Sequence, residues 1–176
     1  MQKTFLAMQT PPVRKLHWRS ILADILLAGL VVGPPVAPFL VASSLPLLSN
    51  IGNIIYFMGL HVCPQPEMGL ALSPPWLMAV CMRCYGTVLG LLMTRLLYAT
   101  SSGIGAYWLH QYRAWGAVLT FLLILAYPAE LVAQSLGLWH YNNFVVFPFG
   151  LIAGLALGLY AMPLLHPQRQ ESQALA

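Results

Sequence analysis

Charged residues are scarce in this chain, which has four acidic residues and eight lysines or arginines among 176. Hydrophobic residues make up 59% of it, and the mean hydropathy is +0.74. A soluble domain of this composition could not cover its surface with polar groups. The few positive charges flank apolar segments and form no basic stripe, so the expected partner is the lipid bilayer and not nucleic acid.

The sequence also lacks the motifs of common enzymes. It has no glycine-rich nucleotide-binding loop, no Ser-His-Asp order and no paired carboxylates inside an apolar segment. Such motifs are what would nominate a reaction. The sequence therefore names no catalytic residue and leaves open whether the protein is an enzyme.

Long apolar runs predict an all-α fold, an integral membrane four-helix bundle with an additional short interfacial or re-entrant helix. Residues 45-60 are too short for a comfortable crossing and supply that additional helix. A single transmembrane domain is expected over 21-166, between a cytoplasmic N-terminal segment at 1-20 and a polar C-terminal tail at 167-176. The spans are predicted at about 21-44, 76-98, 115-136 and 144-165.

Positive charges set the predicted orientation, because cytoplasmic segments carry the excess of Lys and Arg. We expect a multi-pass protein of a prokaryotic-type inner membrane with both termini cytoplasmic and an uncleaved first span. Asp24 lies near the cytoplasmic end of that span, where it is expected to reach Arg19 or water. The basic residues that four crossings place on the cytoplasmic side are Lys3, Arg14, Lys15, Arg19, Arg95, Arg113 and Arg169.

Small residues recur at four-residue spacing in every predicted span. Such rows let helix backbones approach closely in lipid, where hydrophobic burial does not drive association. They predict a tight antiparallel bundle, and rows left exposed would be docking faces for other membrane proteins. The rows are Gly29 and Gly33; Gly86 and Gly90; Ala129, Ala133 and Gly137; and Gly150, Gly154 and Gly158.

The three cysteines of the chain lie close together in the sequence. Cys81 and Cys84 form a Cys-x-x-Cys pair, expected one turn apart on span 2 with both sulfurs on one side. Cys63 from the preceding loop, with His61 or His140 as a further ligand, completes a set that suits zinc or iron at the non-cytoplasmic face. The favoured interpretation is a structural or accessory metal-binding site.

Two alternatives for the cysteines remain open. Cys81 and Cys84 would cycle as a dithiol in a membrane thiol-disulfide oxidoreductase, with Cys63 as the resolving partner. Otherwise the cysteines only pack as small apolar residues, and the protein is a subunit or assembly factor of a larger membrane complex.

Arg83 is predicted to lie well inside span 2, where a charge needs a partner. Glu130 is the expected partner, with Gln134 one turn later on the same face of span 3. Glu67, from the loop, is an alternative. A buried charge pair that fixes helix register is favoured over an ion path, because two charges do not make a relay.

The segment Cys81-Met-Arg-Cys-Tyr-Gly-Thr-Val-Leu-Gly90 resembles a family of small bacterial and archaeal predicted membrane proteins known as a domain of unknown function. Its members carry a Cys-His-Gln-x-Pro-Glu-Arg-Ser element and then Cys-x-Arg-Cys-x-Gly-(three residues)-Gly. An Asp-x-x-x-Gln, an Asn-Asn and a Gly follow. The similar positions, within residues 55 to 160, are Cys63, Gln65, Pro66 and Glu67; Cys81, Arg83, Cys84, Gly86 and Gly90; and Glu130, Gln134, Asn142, Asn143 and Gly150.

The chain departs from that pattern at several positions. Pro64 stands where the family has His, Met68 and Gly69 stand where it has Arg-Ser, and Glu130 replaces Asp. If the histidine of the family is a ligand, His61 would have to take its role here. The resemblance implies a membrane fold with a cysteine-rich outer site and implies no particular activity.

Overall fold

The computed structural model describes residues 18–43, 45–101 and 105–166. The predicted polar tail at 167-176 and most of the predicted N-terminal segment, including Lys3, Arg14 and Lys15, lie outside these residues. The elements in chain order are α1 (Trp18–Ala42), α2 (Pro46–Val62), a 3₁₀ turn (Pro66–Met68), β1 (Gly69–Ser73), β2 (Trp76–Cys81), α3 (Met82–Ser101), a second 3₁₀ turn (Leu109–Tyr112), α4 (Arg113–Ile124), α5 (Ala126–Ser135) and α6 (Asn143–Leu165).

The fold is all-helical apart from one small hairpin, and its surface is that of a membrane protein. Large apolar side chains point outward throughout, with Trp115 81% exposed and Phe144 89% exposed. Such surfaces are stable only against lipid or another protein. Among the described residues, three helical stretches are long and apolar enough to cross a bilayer, Trp18–Ala42, Leu109–Ser135 and Asn143–Leu165. The predicted all-α membrane fold is confirmed.

The prediction of a helix beginning at Trp76 is wrong for its first turn and a half. Residues Trp76–Cys81 are strand β2, which pairs antiparallel with β1 and places Gly69 opposite Cys81. The helix begins only at Met82. A run of six apolar residues does not distinguish a strand from a buried helical segment, and the Pro-rich turn before it favours a hairpin.

The additional helix before span 2 is present as α2. It packs against α1 through Gly52, where a Cβ would lie 2.6 Å from the Val41 side chain, and against β2 through Gly59, which contacts the Ala79 carbonyl. Its 17 residues would extend only about 26 Å at ~1.5 Å per residue. The contact between Gly59 and Ala79 places the C-terminal end of α2 beside the last residues of β2.

The closest helix contact is between α3 and α6, and it uses the predicted glycine rows. A Cβ at Gly86 would lie 2.6 Å from the Phe147 carbonyl oxygen, and one at Gly90 would lie 2.6 Å from that of Leu151. On the other side, Gly154 meets the Thr87 carbonyl. Residue numbers increase in the same direction along both helices, so this pair is parallel. This direction agrees with the expected antiparallel bundle, in which spans 2 and 4 cross the same way, and α1 runs opposite to α3, with Asp24 beside Arg95 and Val31 beside Tyr85.

The third predicted span is divided in two at Leu125, between α4 and α5. The small residues of its predicted row are not buried against another helix. Ala129 and Ala133 line an open apolar groove on the outside of α5, and nothing lies within 4 Å of a Cβ built at Gly137. Gly29 on α1 is equally uncrowded. The rows of α3 and α6 thus form the tight contact inside the molecule, and a Cβ at Gly33 of the α1 row would make only an ordinary contact, 3.8 Å from Ile55 of α2.

The end of the molecule opposite the hairpin is closed by an ion pair between α1 and α3. Arg95 donates two hydrogen bonds to Asp24, of 2.6 and 2.7 Å, and the His166 ring lies 3.7 Å from the same carboxylate. Ser20 donates to the Leu165 carbonyl at 3.0 Å. The ion-pair partner of Asp24 is therefore Arg95 from another helix and not the expected Arg19, while the Asp24 side chain remains 41% exposed.

Candidate metal centre

The three cysteine sulfurs meet at the foot of the hairpin. Cys84 Sγ lies 3.6 Å from Cys81 Sγ and 3.5 Å from Cys63 Sγ, and all three sulfurs lie within 4.8 Å of one another. Cys63 and Cys81 are buried, whereas Cys84 is partly exposed. All three are free thiols. The predicted convergence of these three residues is therefore present.

Each cysteine is supplied by a different element. Cys63 ends α2, where its N–H donates to the Gly59 carbonyl at 2.8 Å, and Gly59 itself packs on β2. Cys81 ends β2 and its N–H donates to Cys63 Sγ at 3.3 Å. Cys84 lies in the first turn of α3. Docking of α2 on β2 is what brings the first sulfur to the other two.

The expected Cys-x-x-Cys on a continuous helix is corrected by this arrangement. Cys81 is extended and Cys84 is helical, so the pair spans a strand-to-helix junction. The two sulfurs still lie on one side, because the chain turns between them. The sequence spacing thus correctly predicted that Cys81 and Cys84 are neighbours, but it predicted the wrong secondary structure for Cys81.

Neither predicted histidine joins the sulfurs. His61 is exposed on α2, with its Nδ1 2.8 Å from the Phe57 carbonyl and its ring packed against the Phe57 ring. His140 is exposed in the loop before α6. Within residues 18–43, 45–101 and 105–166, the one group of candidate metal ligands is the three cysteines.

Tyr127 is a neighbour of the sulfurs that the sequence analysis missed. Its hydroxyl oxygen lies 3.1 Å from Cys84 Sγ, and its ring lies 5.7 Å from the Arg83 guanidinium carbon. Tyr127 stands three residues before Glu130 and seven before Gln134, on one face of α5. This spacing is the signal by which the sequence could have identified Tyr127.

Arg83 forms the predicted buried ion pair with Glu130, and both side chains are fully buried. Gln134, expected one turn after Glu130 on the same face, accepts a 2.8 Å hydrogen bond from the guanidinium. Gln65, two residues after Cys63, accepts another at 3.3 Å. Burial of both charges is tolerated when their remaining donors and acceptors are also satisfied. The guanidinium therefore joins α3, α5 and the loop that carries the first cysteine.

One further residue, Trp139, contacts the pair. Trp139 donates from Nε1 to the free Glu130 oxygen at 3.2 Å. Glu67 is exposed, and the carboxylate that pairs with Arg83 is that of Glu130.

The loop before α6 is tied to the same end of the molecule. Tyr141 donates its hydroxyl to the Met68 carbonyl at 3.0 Å, and burial raises the pKa of Tyr141 to about 12, so this donor keeps its proton. Asn142 caps α6, with its side-chain oxygen accepting from the Phe144 N–H at 2.9 Å. The Tyr141 contact thus connects the loop before α6 to the turn that precedes β1, and the Asn142 cap sets where α6 begins.

The fold and the site together define a largely helical membrane protein whose three-cysteine cluster lies beside a buried arginine. The model of the family described as predicted membrane protein (DUF2085) matches residues 73–160, half of the chain, and the chain belongs to this family. No curated protein and no solved structure matches it. The matched range includes Cys81, Cys84, Arg83 and Glu130, while Cys63 precedes it.

Proposed function

We propose that the protein binds a metal ion, zinc or iron, through Cys63, Cys81 and Cys84. The observation that carries the proposal is the spacing of the sulfurs, 3.5 and 3.6 Å for two pairs and within 4.8 Å for the third. Four sulfurs around zinc at Zn–S ~2.3 Å stand about 3.8 Å apart. The cluster therefore has nearly the dimensions of one face of a tetrahedral thiolate site.

The chemistry of the donors supports the same proposal. Thiolates are soft ligands that select zinc, copper(I) and iron over the hard cations magnesium and calcium. An ion held by α2, β2 and α3 together would link three elements that are otherwise joined by a short loop and a hairpin. Its role would then be structural or accessory, since metal-binding free energy adds directly to folding free energy.

Metal analysis of the detergent-purified protein tests this proposal. We expect about one zinc or iron ion per chain, as in single Cys-based sites, and Cys84→Ser should lose most of it. Met93→Leu, which removes an exposed sulfur elsewhere on α3, is the matched control and should bind as the unmodified protein does. Metal-free wild-type protein, or Cys84→Ser with unchanged metal content, would contradict the proposal.

Thiol-disulfide exchange is a second candidate, favoured by the central position of Cys84 within 3.6 Å of both other sulfurs. As an oxidoreductase, the dithiol would attack the disulfide of a partner protein, form a mixed disulfide, and be released as an internal Cys81–Cys84 disulfide while the partner leaves as a dithiol. Thiol labelling before and after reduction, read by mass spectrometry, distinguishes the two candidates. A reversible internal disulfide in membranes, with no bound metal, would favour exchange.

We also propose that α3 crosses the membrane beside α6, with both termini in the cytoplasm of a prokaryotic-type cell and the hairpin on the opposite side. The parallel contact between α3 and α6 supports a common crossing direction, and the excess of Lys and Arg supports the orientation. Fluorescent and phosphatase reporters fused to each terminus test it. Phosphatase activity at either terminus would contradict the proposal.

A further inference from the structure

We infer that the ion of the three-cysteine site has a fourth coordination position that is open to a small exogenous thiol, with Tyr127 donating a hydrogen bond to Cys84 Sγ beside it. This inference rests on the metal-binding function proposed above. It changes the character of the site, because closed structural zinc sites have four protein ligands, whereas sites that act on a ligand keep one position for water or substrate.

The number of protein donors is the first support. Three sulfurs form the cluster, and the predicted histidines lie elsewhere, both of them exposed. The described residues thus supply one face of a tetrahedron. Zinc bound by three thiolates keeps its fourth vertex for water or another monodentate ligand.

The position of Tyr127 is the second support. Its oxygen lies 3.1 Å from Cys84 Sγ, which suits a hydroxyl donating to a sulfur. An oxygen bound to the same zinc ion would stand about 3.5 Å from each sulfur, given Zn–S ~2.3 Å and Zn–O ~2.0 Å. The 3.1 Å contact is shorter than that, which fits a hydroxyl that donates to Cys84 Sγ and is not itself bound to the ion.

Tyr127 is held in this place by the buried charge pair. Its ring lies 5.7 Å from the Arg83 guanidinium carbon, and Arg83 is fixed by Glu130 one turn further along α5. Hydrogen bonds from surrounding groups orient metal ligands and adjust their affinity. Tyr127 is thus a positioning residue for Cys84.

Access is provided on the same side. Cys63 and Cys81 are 4% and 0% exposed, whereas Cys84 is partly exposed beside Tyr127. A ligand approaching the ion would therefore enter past Cys84. A thiol is the ligand class that matches, because three thiolates make the ion soft and a fourth sulfur completes its preferred set.

Cobalt(II) substitution with 2-mercaptoethanol as the probe tests the inference. Adding the thiol should raise the thiolate-to-cobalt absorption by roughly one third, since the number of bound thiolates rises from three to four. The ligand-field bands should stay those of a tetrahedral ion, and cobalt should remain with the protein after gel filtration. An unchanged spectrum at saturating thiol would overturn the inference.

Tyrosine-to-phenylalanine substitutions test which hydroxyl lies beside the fourth coordination position of the ion. Tyr127→Phe should weaken cobalt affinity about 10- to 100-fold, the usual effect of removing a hydrogen bond to a ligand, and should retain the response to thiol. Tyr85→Phe is the matched control, because its hydroxyl donates to the Val31 carbonyl on another side of α3. Equal cobalt affinity in the two variants would overturn the role of Tyr127.

Two other outcomes point to a closed site. A tyrosinate absorption on zinc binding, absent from Tyr127→Phe, would make Tyr127 a ligand and overturn the open position. Loss of the metal from His61→Ala or His140→Ala would make a histidine the fourth ligand, with the same consequence. Wild-type protein that binds neither zinc nor cobalt would instead refute the proposed function itself.

Discussion

Two Arg-carboxylate ion pairs among the described residues lie toward opposite ends of α3 and differ in their surroundings. Arg83 and Glu130, beside the sulfurs, are both fully buried. Arg95 and Asp24, at the other end, are 26% and 41% exposed. A buried pair needs every remaining polar atom satisfied, whereas an exposed one keeps contact with water or lipid headgroups.

The difference shows in the number of elements that each pair joins. Arg83 binds α5 through Glu130 and Gln134 and the loop after α2 through Gln65. Arg95 joins one carboxylate on α1, and His166 lies nearby. The buried pair therefore determines how several segments meet around the sulfurs, while the exposed pair chiefly aligns two helices.

The largest effect is expected from breaking the buried pair. Glu130→Ala should lower the free energy of unfolding by about 3–5 kcal/mol, because the Arg83 charge is then left without a counter-ion in an apolar interior. Thermal unfolding in detergent measures the change. Metal content should fall as well, since Arg83 and Tyr127 position the cluster.

A double variant distinguishes the cost of an orphaned charge from the worth of the pair. Arg83→Met combined with Glu130→Leu removes both charges, and its stability loss should be smaller than that of Glu130→Ala alone. A double variant at least as unstable as the single one would mean that the pair itself, and not the avoidance of a lone charge, holds this end together.

An intermediate effect is expected where α3 meets α6 between the two ends. Gly154→Ala should destabilise by roughly 1–3 kcal/mol, because its methyl group would overlap the Thr87 carbonyl. Gly29→Ala is the matched control, with no atom within 4 Å of the added Cβ. Equal unfolding temperatures for the two variants would contradict the close contact.

The smallest effect is expected at the exposed pair. Asp24→Asn should cost at most about 1 kcal/mol, as for other ion pairs that remain in contact with water. Unfolding at low and high salt measures it, and the difference from wild type should shrink as salt rises. A loss as large as that of Glu130→Ala would show that exposure does not separate the two pairs.

Much of the candidate site could be predicted from residue type alone. A charge inside an apolar segment requires an opposite charge, which identified Glu130 for Arg83, and clustering of rare soft residues identified the three cysteines. The hairpin was missed because Trp76–Cys81 is apolar without a strand-specific period. Its backbone pairing with β1 is a tertiary fact that the segment does not encode locally.

The expectation that His61 or His140 joins the sulfurs was wrong for a different reason. Sequence proximity placed His61 near Cys63, but His61 lies in the last turn of α2, which ends at Val62, and the His61 side chain turns back along the helix to Phe57. Tyr127 was overlooked because an aromatic residue in a span is usually a packing residue or an interface anchor. Side-chain direction, and not sequence distance, decided which residues reached the sulfurs.

The hairpin also affects how deep its end of the molecule can lie in the membrane. Within the described residues its sheet has two strands, so each outer edge carries backbone N–H and C=O groups that no further strand pairs. Unpaired peptide groups cost several kcal/mol each in hydrocarbon. We therefore expect the hairpin end of the molecule to lie at the membrane surface, which would place Cys81, at the end of β2, close to the aqueous phase.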